Sequence, residues 1–147
     1  MKLTGSFDTT TSPADLRGLV SAPQALSGVS AFRSVEPQDN GTIRVDFAPR
    51  ISMGWLRLDT LLTPGEVSDG RATVHALGMR GSSGVEGDVV ITYEAADGGG
   101  SHVTWEADLV VLGPAASTSQ RVGLSIARRA VGTAIEEAAA AAGGASA

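Results

Sequence analysis

The sequence predicts an α+β fold: a curved antiparallel sheet of about six to seven strands, two short helices after the first strand, and one long helix at the C-terminal end. Three observations carry this. Polar and apolar residues alternate strictly in several runs between residues 2 and 112, helical periodicity is sustained only after Gly113-Pro114, and prolines confine the early helical signals to two short runs.

Each element follows in order. "KLTGSF" sets Leu3, Gly5 and Phe7 against polar partners, the period of a half-buried strand. In "TSPADLRGLVSAPQALSG", Ser12 is an N-cap with Pro13 at the first helical position, and Leu16, Leu19 and Val20 follow at helical spacing. Pro23 breaks this helix and opens a second, with Gly28 as its C-cap. Asn40-Gly41 is a hairpin turn leading into a strand that places Ile43, Val45 and Phe47 on one face. The next run, "RISMGWLRLDTLLT", stays extended, but its apolar phase shifts between Met53 and Leu56, which predicts a bulge or bend. "GRATVHALGMRG" and "EGDVVITYEA" form a further pair, the second with Val89, Ile91 and Tyr93 on one face. In the last strand Val103, Trp105, Ala107, Leu109 and Val111 share a face, opposite His102, Thr104, Glu106, Asp108 and Val110.

Beyond Gly113-Pro114, apolar positions Leu124, Ala127, Val131, Ile135 and Ala138 recur every three or four residues, while Arg128, Arg129, Glu136 and Glu137 stay largely outside that stripe. A sheet with one apolar face needs a cover, and no other element is long enough to supply it. The Trp105 face of the last strand and the Leu124–Val131 face of the helix are therefore expected to meet. At 147 residues the chain fits one domain, placed at residues 1–142 with a flexible tail at 143–147.

Composition excludes several function classes. The net charge is -5 and Lys2 is the sole lysine, so no phosphate-binding surface for nucleic acid is expected. Without cysteine there is no disulfide, thiolate metal site or thiol nucleophile. The N-terminus has no apolar signal core, and no run of about 18 apolar residues occurs, so a cytoplasmic location is the expectation. His75 and His102, the two histidines, have no metal-ligand spacing, and no metal is expected. His102 shares a face with Glu106 and Asp108 and reads as surface. A G-x-S-x-G elbow is missing. "GMRGSSGVEG" spaces Gly78, Gly81, Gly84 and Gly87 three apart but lacks a phosphate-loop ending, and reads as a mobile hairpin tip.

The element order, together with "MKLTGSF", "SPADLRGLVSAPQALSGV" and "GGGSHVTWEADLVVLGPAAS", resembles the helix-grip fold of the SRPBCC superfamily (START and Bet v 1-like). Within it, the chain is similar to the CoxG-like proteins associated with carbon monoxide dehydrogenase. That resemblance implies a cavity between sheet and long helix that takes a hydrophobic small molecule, with menaquinone or another quinone or isoprenoid-like compound as the expected ligand. It also implies an accessory role to a molybdenum-containing redox enzyme, with no cofactor chemistry of the protein's own. The expected lining is Trp55, Val74, Ala76, Ile91, Tyr93, Trp105, Ala127 and Val131, with Met79, Arg80 and Glu86 at the mouth. CoxG-like proteins are associated with membrane attachment, but "AAAAAGGASA" carries no basic or aromatic anchor, so no membrane contact is expected. Two other readings stand beside this one. The superfamily also contains polyketide cyclase and dehydratase enzymes, for which Tyr93, His75 or Glu86 would be the acid or base, and a docking subunit would fill the cavity with its own side chains.

Overall fold

The computed structural model describes residues 2–19, 22–51, 54–55, 57–113 and 120–144. The chain runs β1 (Lys2–Thr9), α1 (Pro13–Leu16), α2 (Pro23–Ser27), β2 (Phe32–Pro37), β3 (Ile43–Phe47), β4 (Arg50–Ile51), β5 (Gly54–Trp55), β6 (Leu58–Ser68), β7 (Arg71–Arg80), β8 (Ser83–Ala95), β9 (Ser101–Leu112) and α3 (Gln120–Gly144). Seven strands form one antiparallel sheet in the order β1-β9-β8-β7-β6-β3-β2, and β4 with β5 forms a separate two-stranded ribbon. The extended run from Arg50 is thus not one bent strand. It leaves the main sheet as a short hairpin and rejoins it at Leu58; Met53 and Leu56, which bound the phase shift in the sequence, lie outside the described residues.

Local chemistry explains the short helices. The Ser12 hydroxyl accepts the Asp15 N–H at 3.3 Å and caps α1 ahead of Pro13. Gly28 closes α2 in an ordinary right-handed conformation, so its lack of a side chain serves space rather than backbone freedom. A Cβ there would come within 2.3 Å of the Ala141 Cβ on α3. The β2–β3 turn is built as the Asn40-Gly41 pair demands: Gly41 has a φ of 85°, and the Asn40 carboxamide oxygen accepts from the Thr42 N–H and hydroxyl.

The sheet's inner face and α3 share the main core, which joins Leu3, Val103, Trp105 and Ala107 to Ile135, Ala138 and Ala139. Trp105 is closely seated between two glycines. Its cross-strand partner is Gly5, where a Cβ would fall 2.5 Å from the indole nitrogen, and a Cβ on Gly132 of α3 would lie 3.3 Å from the ring. The indole fills the space that these two glycines leave open. Two buried hydrogen bonds fix the C-terminal half of α3: the Thr11 hydroxyl donates to the Ala139 carbonyl at 2.6 Å, and the Ser101 hydroxyl donates to the Thr11 carbonyl at 2.7 Å. Glu137, on the expected polar side of the helix, accepts from the N–H and hydroxyl of Ser30. The helix continues through Gly143 and Gly144, into the stretch expected to be tail. Gly143 sits so close to Thr11 that a Cβ would meet its hydroxyl at 2.6 Å.

Candidate functional site

Away from Trp105, the space between sheet and helix is not filled. A cavity of about 170 Å³ lies there, enough for one ring-sized apolar molecule. Its floor is the inner face of three neighbouring strands: Leu58, Thr60 and Leu62 of β6, Val74, Ala76 and Gly78 of β7, and Val85, Val89 and Ile91 of β8. Val131, Ala134, Ile135 and Ala138 of α3 cover it, and Leu26, Phe32 and Phe47 wall it on the side of α2, β2 and β3. Small residues explain the void. Where Ala76 and Gly78 face inward from the sheet and Ala134 from the helix, no side chain is long enough to close the gap.

Strand alternation decides which residues face this space. Because Val74 and Ala76 point inward, His75 between them points to the opposite, outer face, and the same alternation sends Leu77 and Met79 outward. Of the residues expected to line a cavity, the structure brings together Val74, Ala76, Ile91 and Val131. Tyr93 and Trp105 are buried in the main core beside the cavity, with Ala127 packed against that core. Trp55 belongs to β5, and its side chain lies outside the described residues. Of the residues expected at a mouth, Met79 and Glu86 turn away from the cavity, and Arg80 is not among its described lining residues. Met79 borders a groove on the outer face with Leu61 and Leu77, Glu86 bonds to His75 on that same face, and Arg80 ends β7 at the hairpin turn.

The glycine series also resolves into different roles. Gly81, with a φ of 61°, lies in the two-residue turn, whereas Gly78, Gly84 and Gly87 lie within strands. A Cβ on Gly87 would come within 2.0 Å of the Asp108 carbonyl oxygen, so that glycine permits close strand packing. Gly78 is the one that lines the cavity.

Two ionisable sites stand out for their surroundings. On the outer face, His75 Nδ1 lies 2.8 Å from Asp88 and Nε2 lies 3.0 Å from Glu86. These hydrogen bonds, Asp88 first and Glu86 second, raise the imidazole pKa above its ordinary value. In the core, burial raises the Tyr93 phenol pKa, opposed by the charge of Arg17 and by the Gly70 backbone. The Gly70 group acts from beyond hydrogen-bond geometry, since the Tyr93 hydroxyl has no hydrogen-bond partner among the described residues. Neither group lines the cavity. Among the described residues no set of His, Asp and Glu is arranged to hold a metal ion, and no helix is long and apolar enough to cross a membrane.

Thr60, the one polar side chain among the described lining residues, is not among those expected from the sequence. The signal lies in "LDTLLT", where alternation puts Thr60 inward between Leu58 and Leu62.

No family model and no curated protein matches the chain. Solved structures do match, along nearly its whole length. A conserved protein from Geobacillus kaustophilus superposes with a TM-score of 0.79 at 14% identity, covering 95% of this chain and 93% of that one. A START superfamily protein from Mycobacterium smegmatis gives a TM-score of 0.65 at 10% identity, over 92% and 94%. Ara h 8.0201, which is Bet v 1-like, gives 0.60 at 16% identity, over 95% and 97%. The chain has the START/Bet v 1-like helix-grip fold. In helix-grip terms, α3 is the gripped helix, and the cavity occupies the part of the grip that its side chains leave open.

Proposed function

We propose that the protein binds a hydrophobic small molecule between β6–β8 and α3. One observation carries this reading: a cavity of about 170 Å³ whose lining, among the described residues, includes a single polar side chain. Folds of the START/Bet v 1-like type commonly bind hydrophobic ligands, and an apolar space with few polar groups is the usual form of such a site. Affinity would come from burying apolar ligand surface at roughly 25 cal/mol per Å², less the cost of ordering the ligand. The similarity of "MKLTGSF" and the segments around α1–α2 and β9 to the CoxG-like proteins extends the proposal to a quinone or isoprenoid-like ligand and to an accessory role beside a carbon monoxide dehydrogenase-like redox enzyme.

Binding is favoured over acid–base catalysis by where the titratable groups lie. His75 and Glu86 occupy the outer face, and Tyr93 stands outside the lining. Native mass spectrometry of the purified protein, followed by solvent extraction and identification of bound compounds, tests the proposal. A stoichiometric apolar ligand is the expected result. An empty protein that also fails to take up a menaquinone analogue or any small arene would contradict it.

A further inference from the structure

The one polar side chain among the described lining residues constrains the ligand's chemistry. Thr60 is buried, with 6% of its surface exposed, and its hydroxyl donates to the Leu58 carbonyl at 3.2 Å. A hydroxyl whose proton is so placed still offers oxygen lone pairs, so Thr60 can accept from a ligand in the cavity without giving up its bond to Leu58. The opposite residue across the β6–β7 ladder is Gly78. A Cβ on Gly78 would stand 3.0 Å from the Thr60 oxygen and 3.3 Å from the Leu58 Cβ, so any other residue there would cover the hydroxyl. The missing side chain leaves the oxygen open to whatever fills the cavity. Among the described residues the remaining lining side chains are aliphatic or phenylalanine and offer a second polar group nothing to bond.

Resting on the ligand-binding reading above but not on its quinone extension, we infer that the cavity selects a ring-sized apolar molecule carrying one hydroxyl donor, a monohydric phenol rather than a quinone, with Thr60 as the specificity-determining residue. A quinone carbonyl only accepts, so it can bond Thr60 only by taking the proton that the hydroxyl gives to Leu58, and its second carbonyl would lose its hydrogen bond to water without replacement. A phenolic hydroxyl pointed at Thr60 keeps its proton bonded.

The test uses three probes of similar size: p-xylene, which has no polar group, p-cresol, which donates, and acetophenone, which only accepts. Dissociation constants are measured by NMR titration for the wild-type protein, Thr60→Val, Thr60→Ser and Gly78→Ala. Thr60→Val removes the hydroxyl at nearly constant volume, and thermal unfolding checks that each variant is folded. Expected is a roughly three- to tenfold loss of p-cresol affinity in Thr60→Val, partial or full retention in Thr60→Ser, and no loss for p-xylene or acetophenone. Gly78→Ala should weaken p-cresol more than p-xylene, independently of any change at Thr60. Unchanged p-cresol binding in Thr60→Val, or an equal loss for acetophenone, would overturn this inference while leaving the ligand-binding reading intact. Failure of all three probes to bind the wild-type protein would overturn both.

Discussion

The two halves of the sheet's inner face meet the same helix in different ways. At the β1–β9 side, Trp105 fits between Gly5 and Gly132, and Leu3, Val103 and Ala107 complete a filled core against Ile135, Ala138 and Ala139. At the β6–β7 side, the residues facing inward shrink to Ala76 and Gly78, and the result is a cavity. Glycine occurs on both sides with opposite effect. In the packed half it makes room for an indole that is present. In the other half Gly78 makes room for a group that no described side chain supplies. The contrast separates the part of the core that holds the fold from the part that is free to hold a ligand.

Three measurements can break or sharpen this division. The largest effect is expected for Trp105→Ala, which should lower unfolding stability by about 3–5 kcal/mol in urea denaturation; a loss below about 1 kcal/mol would mean that the β1–β9 half is not tightly packed. Adding volume should then have opposite consequences in the two halves. Ala107→Leu overfills the packed side and should cost about 1–3 kcal/mol. Ala76→Leu grows into the cavity, and should leave stability unchanged or raise it by up to about 2 kcal/mol while displacing small arenes. Equal destabilisation by the two substitutions would erase the distinction.

The smallest effect concerns the outer face. His75 bonds there to two carboxylates, Asp88 and Glu86 on β8, and its partner across the ladder on β6 is Thr63, which does not titrate. Its folded-state pKa is raised above the ordinary value of about 6.5. The stabilisation it gives is therefore fully present below that unfolded value and disappears as pH rises through the folded one. NMR titration should find His75 above the ordinary value and Asp88→Asn closer to it, with cavity binding unchanged across the same pH range. A pH-dependent cavity would contradict the assignment of His75 to the outer face.

Periodicity makes most of this fold legible. The alternation in β3, β8 and β9, the Asn40-Gly41 turn, the Ser12-Pro13 start of α1 and the helical stripe of α3 all describe contacts each residue makes with its own element's neighbours. The cavity is legible only in part, because lining depends on which inward residues face a void and which face a filled core. Tyr93, Trp105 and Ile91 all read as inward from the sequence, yet only Ile91 borders the cavity. What separates Trp105 from Ile91 is the room left for its ring at Gly5 of β1 and Gly132 of α3, residues far apart in the chain. The expectations for Met79 and Glu86 equate a position near a hairpin turn with a position near the cavity. Pleat parity puts both residues on the other side of the sheet.

The most direct test of the open half is a methyl NMR titration of the protein with p-xylene. The account predicts saturable shifts in the methyl groups of Val74, Val89, Ile91, Val131 and Ile135, with Leu61, Leu77 and Val110 on the outer face unmoved. An absence of saturable shifts, or shifts confined to the outer-face residues, would contradict it.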